Sequence, residues 1–369
     1  MALVLVTGGC GFIGRYVARE LIGANHAVRL YDAMIDQVHG PDGAAADIPP
    51  EATVVRGDVR SGEQLRKALD GCDAVIHLAA EVGVGQSMYE IARYVGVNDL
   101  GTAVLLEAIA DHPVKRLVVA SSMSIYGEGS YTRPDGEMYH EARRRPGDIR
   151  RGAWDPLGPT GDALRPIATA ETKRPDLASI YALTKYAQER AALIFGGAHD
   201  IPTVALRLFN VFGPGQALSN PYTGVLANFA SRLASGKPAL IFEDGEQRRD
   251  FVHVEDVARA FRLALESDVA GEVFNIGSGR AYTIRQVAEL LAREMGRPDL
   301  APEILNRARS GDIRNCFADI TKAREGLGFA PRRRLETDLY DFVKWVGAAE
   351  AVDRSQIMQK ELEERGLVT

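Results

Sequence analysis

Tyr181-Ala-Leu-Thr-Lys185 sets a phenol and an ammonium group four residues apart. On a helix that spacing puts both on one face. A neighbouring cation stabilises a phenolate, so a tyrosine with an ordinary pKa of about 10 becomes usable as a general base near neutrality. The same spacing recurs at Tyr340 and Lys344, so context has to choose between the two copies. Upstream of Tyr181 an apolar run at 116–120 ends in Ser121-Ser122-Met123-Ser124. Hydroxyls at the carboxyl end of a parallel strand face the ligand crevice of a doubly wound fold. Ser122 can then hydrogen-bond the same substrate oxygen that Tyr181 deprotonates. Tyr340 has no such serine before it and is read as structural. Ser122, Tyr181 and Lys185 are the catalytic candidates.

A second constellation opens the chain. An apolar run at 2–6 is followed by Gly8, Gly9, Gly11 and Gly14, then by a helical pattern at Phe12, Ile13, Tyr16, Val17 and Leu21. Strand, glycine turn and helix together cradle a pyrophosphate: Gly8 for the tight turn, Gly11 for close approach of the phosphates, Gly14 for helix–strand packing. The next apolar run, 27–31, ends in Asp32, about 20 residues beyond the loop, where a carboxylate accepts from an adenosine ribose. That carboxylate would repel a 2′-phosphate, so NAD is the expected cofactor rather than NADP. Cys10 fills the loop as a small residue.

The elements that must position these groups alternate. Strand patterns at 2–6, 27–31, 53–56, 73–78, 115–120 and 202–207 are interleaved with helical patterns at 12–23, 61–70, 97–111 and 181–195. The fold class expected is α/β: a Rossmann-type doubly wound parallel sheet with a smaller α/β substrate-binding lobe. The dinucleotide domain is assigned to 1–207. The lobe takes 208–369, with segments at about 251–276 returning to the sheet domain. In the lobe, helices are expected near 223–236, 254–266, 283–295 and through much of 334–366, with short strands near 239–242 and 272–276. At 369 residues the chain exceeds a usual single core. With 44 basic against 50 acidic residues, no nucleic-acid footprint is expected. No apolar run is long enough to span a membrane, and the start carries no basic signal-peptide region. Three well-separated cysteines, at 10, 72 and 316, argue against zinc and disulfide frameworks. The expectation is a soluble, cytoplasmic protein with no metal.

Residues 130–176 break the rhythm, with six prolines and five arginines between 143 and 151. They read as a largely irregular excursion, either a passive surface insertion or a functional flap. Both its ends emerge beside Ser122 and Tyr181, and its arginines could attract a diphosphate. Joining Ser130 to Asp176 is therefore expected to spare folding and NAD binding while raising KM. His77 and His253 sit in apolar runs and read as satisfied core histidines. Arg249 and Arg314, with Arg309 as a third candidate, have the side chain that matches phosphate oxygens with bidentate geometry. Asn220-Pro-Tyr222-Thr-Gly224 and Ile241-Phe242 are read as shaping a nucleotide pocket.

Further motifs span nearly the whole chain: Thr7-Gly-Gly-Cys-Gly-Phe-Ile-Gly14, Gly57-Asp58-Val59, His77-Leu-Ala-Ala80, Asn98, Arg207-Leu-Phe-Asn210-Val-Phe-Gly-Pro-Gly215, Arg249-Asp-Phe-Val-His-Val254, Asn275-Ile-Gly277 and Gly311-Asp312-Ile-Arg314. With Ser121-Ser122 and the Tyr181/Lys185 pair, the chain resembles an extended short-chain dehydrogenase/reductase of the nucleotide-sugar epimerase/dehydratase group. That resemblance implies a nucleotide diphosphate sugar as substrate. It implies cofactor contacts from Phe12, Ile13, Asp58, Val59, Leu78, Ala79, Ala80 and Asn98 beside the glycines, Asp32, Tyr181 and Lys185. Substrate contacts would come from Ser122, Ser124, Asn210, Val225, Arg249 and Arg314. It implies a homodimer through helices 97–111 and 181–195, with Val104, Leu105, Ala108 and Ile109 in contact.

In the dehydratases of the group an Asp-Glu pair follows the hydroxyl residue. Met123 and Ser124 stand there instead, so removal of water lacks its acid and base. The decarboxylases typically keep a Glu where Ser124 stands. What remains resembles the 4-epimerases, working through a transient 4-keto sugar. Ser122 to Gly129 followed by a basic, proline-rich insertion resembles the dTDP-L-rhamnose 4-epimerases in particular. Relatives can carry a cysteine knuckle in that insertion, and Leu157-Gly158-Pro-Thr-Gly161 has none. Competing readings are another UDP-sugar epimerase, a decarboxylase or 4-ketoreductase of the same fold, and a non-catalytic NAD-sensing protein, which would normally have lost the Tyr/Lys pair.

Overall fold

The computed structural model describes residues 1–40, 47–216, 224–309, 311–348 and 363–368. Seven strands form one parallel sheet: β1 (Leu3–Thr7), β2 (Ala27–Asp32), β3 (Thr53–Arg56), β4 (Ala74–His77), β5 (Arg116–Ser122), β6 (Thr203–Leu208) and β7 (Glu272–Ile276), in the order β7-β6-β5-β4-β1-β2-β3. Strands β5 and β6 are buried along their whole length, as central strands covered on both faces must be. Helices α1 (Phe12–Gly23) and α5 (Val254–Glu266) cover one face. The other is covered by α2 (Gly62–Leu69), α3 (Gly101–Asp111) and α4 (Ile180–Ala198).

Strand order reverses between β1 and β4, and ligand crevices open at the carboxyl ends beside such a switch point. The loops there are the glycine turn and Leu78-Ala79-Ala80. Residues 272–276 pair with β6 as the edge strand of the main sheet, and α5 packs across α1. The lobe's own core lies among helices Val225–Ala234, Ile284–Glu294 and Leu335–Ala348. Tyr340 is 60% exposed on the last of these, so the second Tyr/Lys pair sits outside the crevice.

Two expectations change. The helix expected over 97–111 begins as a π-helical stretch, Val95–Leu100, before α3. Asn98 explains its register: its amide is tied to Glu81 and Thr184 rather than to its own helix. The excursion is built rather than irregular. Ser130–Thr132 pairs antiparallel with both Met138–Tyr139 and Arg165–Ile167, and Tyr131 at its centre is fully buried. Thr169 pairs in backbone with Phe317 and Asp319 of the lobe. Joining Ser130 to Asp176 would delete these contacts, so folding would not be spared.

Candidate active site

Between the sheet's carboxyl edge and the lobe lies a cavity of about 680 Å³. Its walls bring together Gly8, Gly11, Phe12, Ile13, Gly14, Asp32, Asp58, Val59, Leu78, Ala79, Ala80, Ser122, Ser124, Tyr181, Lys185, Asn210, Val225, Arg249 and Arg309.

The glycine turn has the shape a dinucleotide requires. A Cβ on Gly8, whose φ is +66°, would come within 2.8 Å of the Ala79 nitrogen, so the turn and the β4 loop can touch only through glycine. A Cβ on Gly11 would meet only the Gly8 carbonyl, at 3.3 Å, which leaves the room above it to a ligand. Helix α1 starts there with no side-chain cap and no acid in its first turn, so its leading N–H groups and dipole favour an anion. The Asp32 carboxylate accepts from the Cys10 and Met34 N–H groups at 3.0 and 2.9 Å. Burial alone would raise its pKa. Hydrogen bonds from His39, Met34 and Cys10 hold it below the ordinary range instead. Asp58 is likewise held low by Arg60. The cradle fits NAD: Gly8 to Gly14 would hold the pyrophosphate and Asp32 the ribose.

At the reacting end, the Ser122 side chain lies beside the Tyr181 phenol and favours its phenolate, and Ser122 accepts from Ser124 through its N–H and Oγ, at 3.2 and 3.0 Å. Burial pushes the phenol above its ordinary pKa, and the Ser122 side chain pulls it back. The Tyr94 ring meets Tyr181 edge-on at 6.4 Å. Helix α4 is capped by Ser179, which accepts from the Ala182 N–H at 3.1 Å, so Tyr181 and Lys185 lie on its rigid first turns. Burial pulls the Lys185 ammonium down to about 7, with Glu189 opposing. Ser121 bonds Glu189 at 2.6 Å, and Glu189 is clamped by Arg207, which makes Ser121 structural. His77 lies between Thr7 and Thr102, and burial holds it neutral, down to about 3.

At the far end, the Arg249 guanidinium donates to the backbone carbonyls of Arg248, Ile313 and Arg314. Among the described residues no carboxylate is within ion-pair distance of it, although its charge helps hold the Asp312 carboxyl low, and the residue lines the cavity. The Arg309 guanidinium lies 4.6 Å over the Phe242 ring and is paired with Asp312 at 2.9 Å. Leu367 also reaches the wall.

The model of the NAD-dependent epimerase/dehydratase family matches residues 4–147 and 158–277. The chain belongs to this family. The dTDP-L-rhamnose 4-epimerase of Burkholderia thailandensis is 35% identical over 358 residues, 95% of this chain and 96% of that one. A dTDP-glucose 4,6-dehydratase of Streptomyces niveus is 30% identical, with 93% and 92% covered. The structure of the UDP-glucose 4-epimerase of Thermotoga maritima with UDP-glucose superposes with a TM-score of 0.77 at 31% identity, covering 94% of this chain and 99% of that one.

Within this epimerase/dehydratase member, two expected contacts do not reach the cavity. Asn98 is fully buried, and its amide braces the Glu81 backbone at 2.7 and 3.1 Å and Thr184 at 2.9 Å. Arg314 is 1% exposed, with its guanidinium neutralised by Asp155, Glu243 and Asp244. It is no diphosphate clamp. Three of the insertion's five clustered arginines are also taken: Arg143 by Asp176, Arg144 by Glu128 and Glu243, and Arg151 by Asp148. Gly224, Ile241 and Phe242 line the wall, while Asn220 and Tyr222 lie outside the described residues. Sequence reasoning missed the wall formed by Val82, Gly83, Val84, Gly85 and Met88. Its signal was the small-residue run directly after the Leu78-Ala79-Ala80 loop.

Proposed function

We propose that the chain is a nucleotide-sugar 4-epimerase acting on a dTDP-6-deoxyhexose such as dTDP-L-rhamnose. One observation carries this: a single cavity brings Ser122 and Tyr181 together, with Lys185 one helical turn on, while the neighbours of Ser122, Met123 and Ser124, exchange no proton near neutrality. The B. thailandensis relative supports the choice of sugar.

Tyr181 takes the proton of the sugar C4 hydroxyl, and Ser122 hydrogen-bonds the same oxygen. The Lys185 charge stabilises the phenolate. NAD, when bound, supplies the hydride acceptor at C4. Arg249 and Asn210 are assigned to the diphosphate, so the 4-keto sugar can turn about its phosphate linkage, take its hydride back on the other face and recover its proton from Tyr181. Carboxylates on the wall are engaged elsewhere, Glu81 by Arg93 at 2.8 Å and Asp312 by Arg309, which leaves dehydration without its acid.

The working form is taken to be a homodimer. Of the contact residues expected from sequence, Leu105, Ala108 and Ile109 are buried against their own sheet. The faces left exposed carry Val95, Leu100, Leu183 and Ile194, and these support pairing of the two helical stretches with a second copy. The three unpaired thiols suit a reducing, cytoplasmic setting.

The test is incubation with dTDP-L-rhamnose, UDP-glucose and UDP-glucuronate, followed by NMR at C4. Inversion at C4 without net NADH is expected, and it should be fastest on the first of these. Release of carbon dioxide, stoichiometric NADH or an accumulating 4-keto-6-deoxy sugar would overturn the proposal. Sedimentation at micromolar concentration should give a dimer mass.

A further inference from the structure

Lys185 donates to Oε1 of Gln188 at 2.7 Å, and both side chains are buried. Among the described residues no other acceptor is within reach of that ammonium. The nearest acid on the helix, Glu189, is spent on Ser121 and Arg207. The other end of the Gln188 amide is fixed. Its Nε2 donates to Thr102 Oγ1 at 2.8 Å and to the Ala79 carbonyl at 3.3 Å, and lies 3.2 Å from His77 Nε2. Thr102 in turn donates to the Asn98 carbonyl at 2.6 Å. A flipped amide would aim its NH₂ group at an ammonium and its oxygen at a carbonyl, so the Lys185 and Ala79 contacts select this orientation.

We propose that Gln188 is a positioning residue for Lys185: its oxygen, aimed by Thr102 and the Ala79 carbonyl, anchors the ammonium one turn along from Tyr181 and keeps it cationic. An ammonium has three N–H donors, so one bond to Gln188 leaves two for ligand in the cavity. A neutral amide suits the task better than a carboxylate, whose charge would cancel the pull of Lys185 on the phenolate. This rests on the reading of Tyr181 as the base. The other titratable or charged groups around Lys185 are Tyr181 and Glu189 on α4, neutral His77 on β4, and Arg207 on β6, matched by Glu189. Burial already draws Lys185 down to about 7, so loss of its acceptor should neutralise it at working pH.

Two variants in the NAD-loaded enzyme test this. Gln188→Met keeps the volume and removes the acceptor, while Gln188→Glu keeps an acceptor and adds charge. The alkaline limb of kcat, where Lys185 loses its proton, should move to lower pH in Gln188→Met and to higher pH in Gln188→Glu. Gln188→Met should lower kcat about tenfold at neutral pH, equivalent to about one unit in the phenol pKa, and leave KM for the sugar and NAD affinity near wild type. Limbs that stay put, or that move together, would overturn the proposal. A substrate-free readout separates it from the epimerase reading: the ultraviolet phenolate signal of NAD-loaded protein, taken as a difference against the matching Tyr181→Phe protein. In Gln188→Met that titration should rise by about one pH unit. A wild type inactive on every nucleotide sugar yet showing this shift would sink the epimerase reading and sustain the role of Gln188. An unshifted titration would sink the role of Gln188.

Discussion

Tyr181 is pulled both ways by its surroundings, and the balance sets the first expectation. Burial favours the neutral phenol, and the Ser122 side chain favours the phenolate. Removing the hydroxyl leaves the aromatic contact with Tyr94 intact, so Tyr181→Phe should fold and bind NAD normally. Its kcat should fall by at least about a hundredfold, the low end for loss of a general base. Tyr340→Phe, at an exposed position, should leave turnover unchanged. Asp32 gives a second expectation. Its carboxyl is held below the ordinary range, so it is already charged above that range and loses its charge only in stronger acid. Between pH 5 and 9 its contribution to NAD affinity should therefore be flat. Asp32→Ala should weaken NAD binding and narrow the preference over NADP, as read by calorimetric titration of both cofactors. A wild type that prefers NADP would refute this role. Residues at this scale were legible where placement is local: Gly8 to Gly14, Asp32 and the Tyr181/Lys185 pair each reach the cavity from one turn or one strand end. The choice of Ser122 over Ser121 has its structural reason far along the chain, in the bond from Ser121 to Glu189.

At the scale of elements, helices and strands of the sheet domain follow the apolar runs closely, since each run needs only its own period to be read. The insertion does not, because its meaning lies in partners far along the chain. Arg144, 5% exposed in its side chain, joins Glu128 beside the Ser122 segment to Glu243 and the Asp312 carbonyl of the lobe. Arg314 was misjudged for the same reason: its partners at 155, 243 and 244 share no local pattern with it. Together they turn the insertion into a brace behind the loop that carries Arg309 and Asp312. Arg144→Met removes one member and leaves the buried Glu128 without a cation and Glu243 with Arg314 alone, a loss of about 3–5 kcal/mol. Thermal unfolding should show that loss. KM for the nucleotide sugar should rise more than kcat falls, because the displaced residues lie at the lobe wall rather than at Tyr181. Equal loss of NAD affinity would show that the brace serves the whole cleft instead.

For the molecule as a whole, the cavity belongs to neither lobe alone, and one segment spans its mouth. Glu363 pairs with Arg307 at 2.7 Å, and Val368 pairs in backbone with Arg309 on the lobe side. On the opposite side the Arg365 guanidinium lies 4.1 Å over the ring of Tyr89, just beyond the β4 loop, while Leu367 lines the wall between them. An exposed cation–π contact is worth about 0.5–1 kcal/mol, strong enough to hold the segment across the cleft and weak enough to yield when ligand passes. The NAD end, from the glycine turn to Asp32, has none of these residues among its hydrogen-bond partners. Arg365→Ala combined with Leu367→Gly should therefore leave the NAD dissociation constant and the melting temperature near wild type. The apparent affinity for the nucleotide sugar should fall about threefold to fivefold, the factor such a contact supplies. If product release limits turnover, kcat should rise in the same variant, since the segment slows exit as well as entry. Unchanged KM and kcat would mean that substrate enters by another side of the cavity, and that Leu367 only covers the wall it touches.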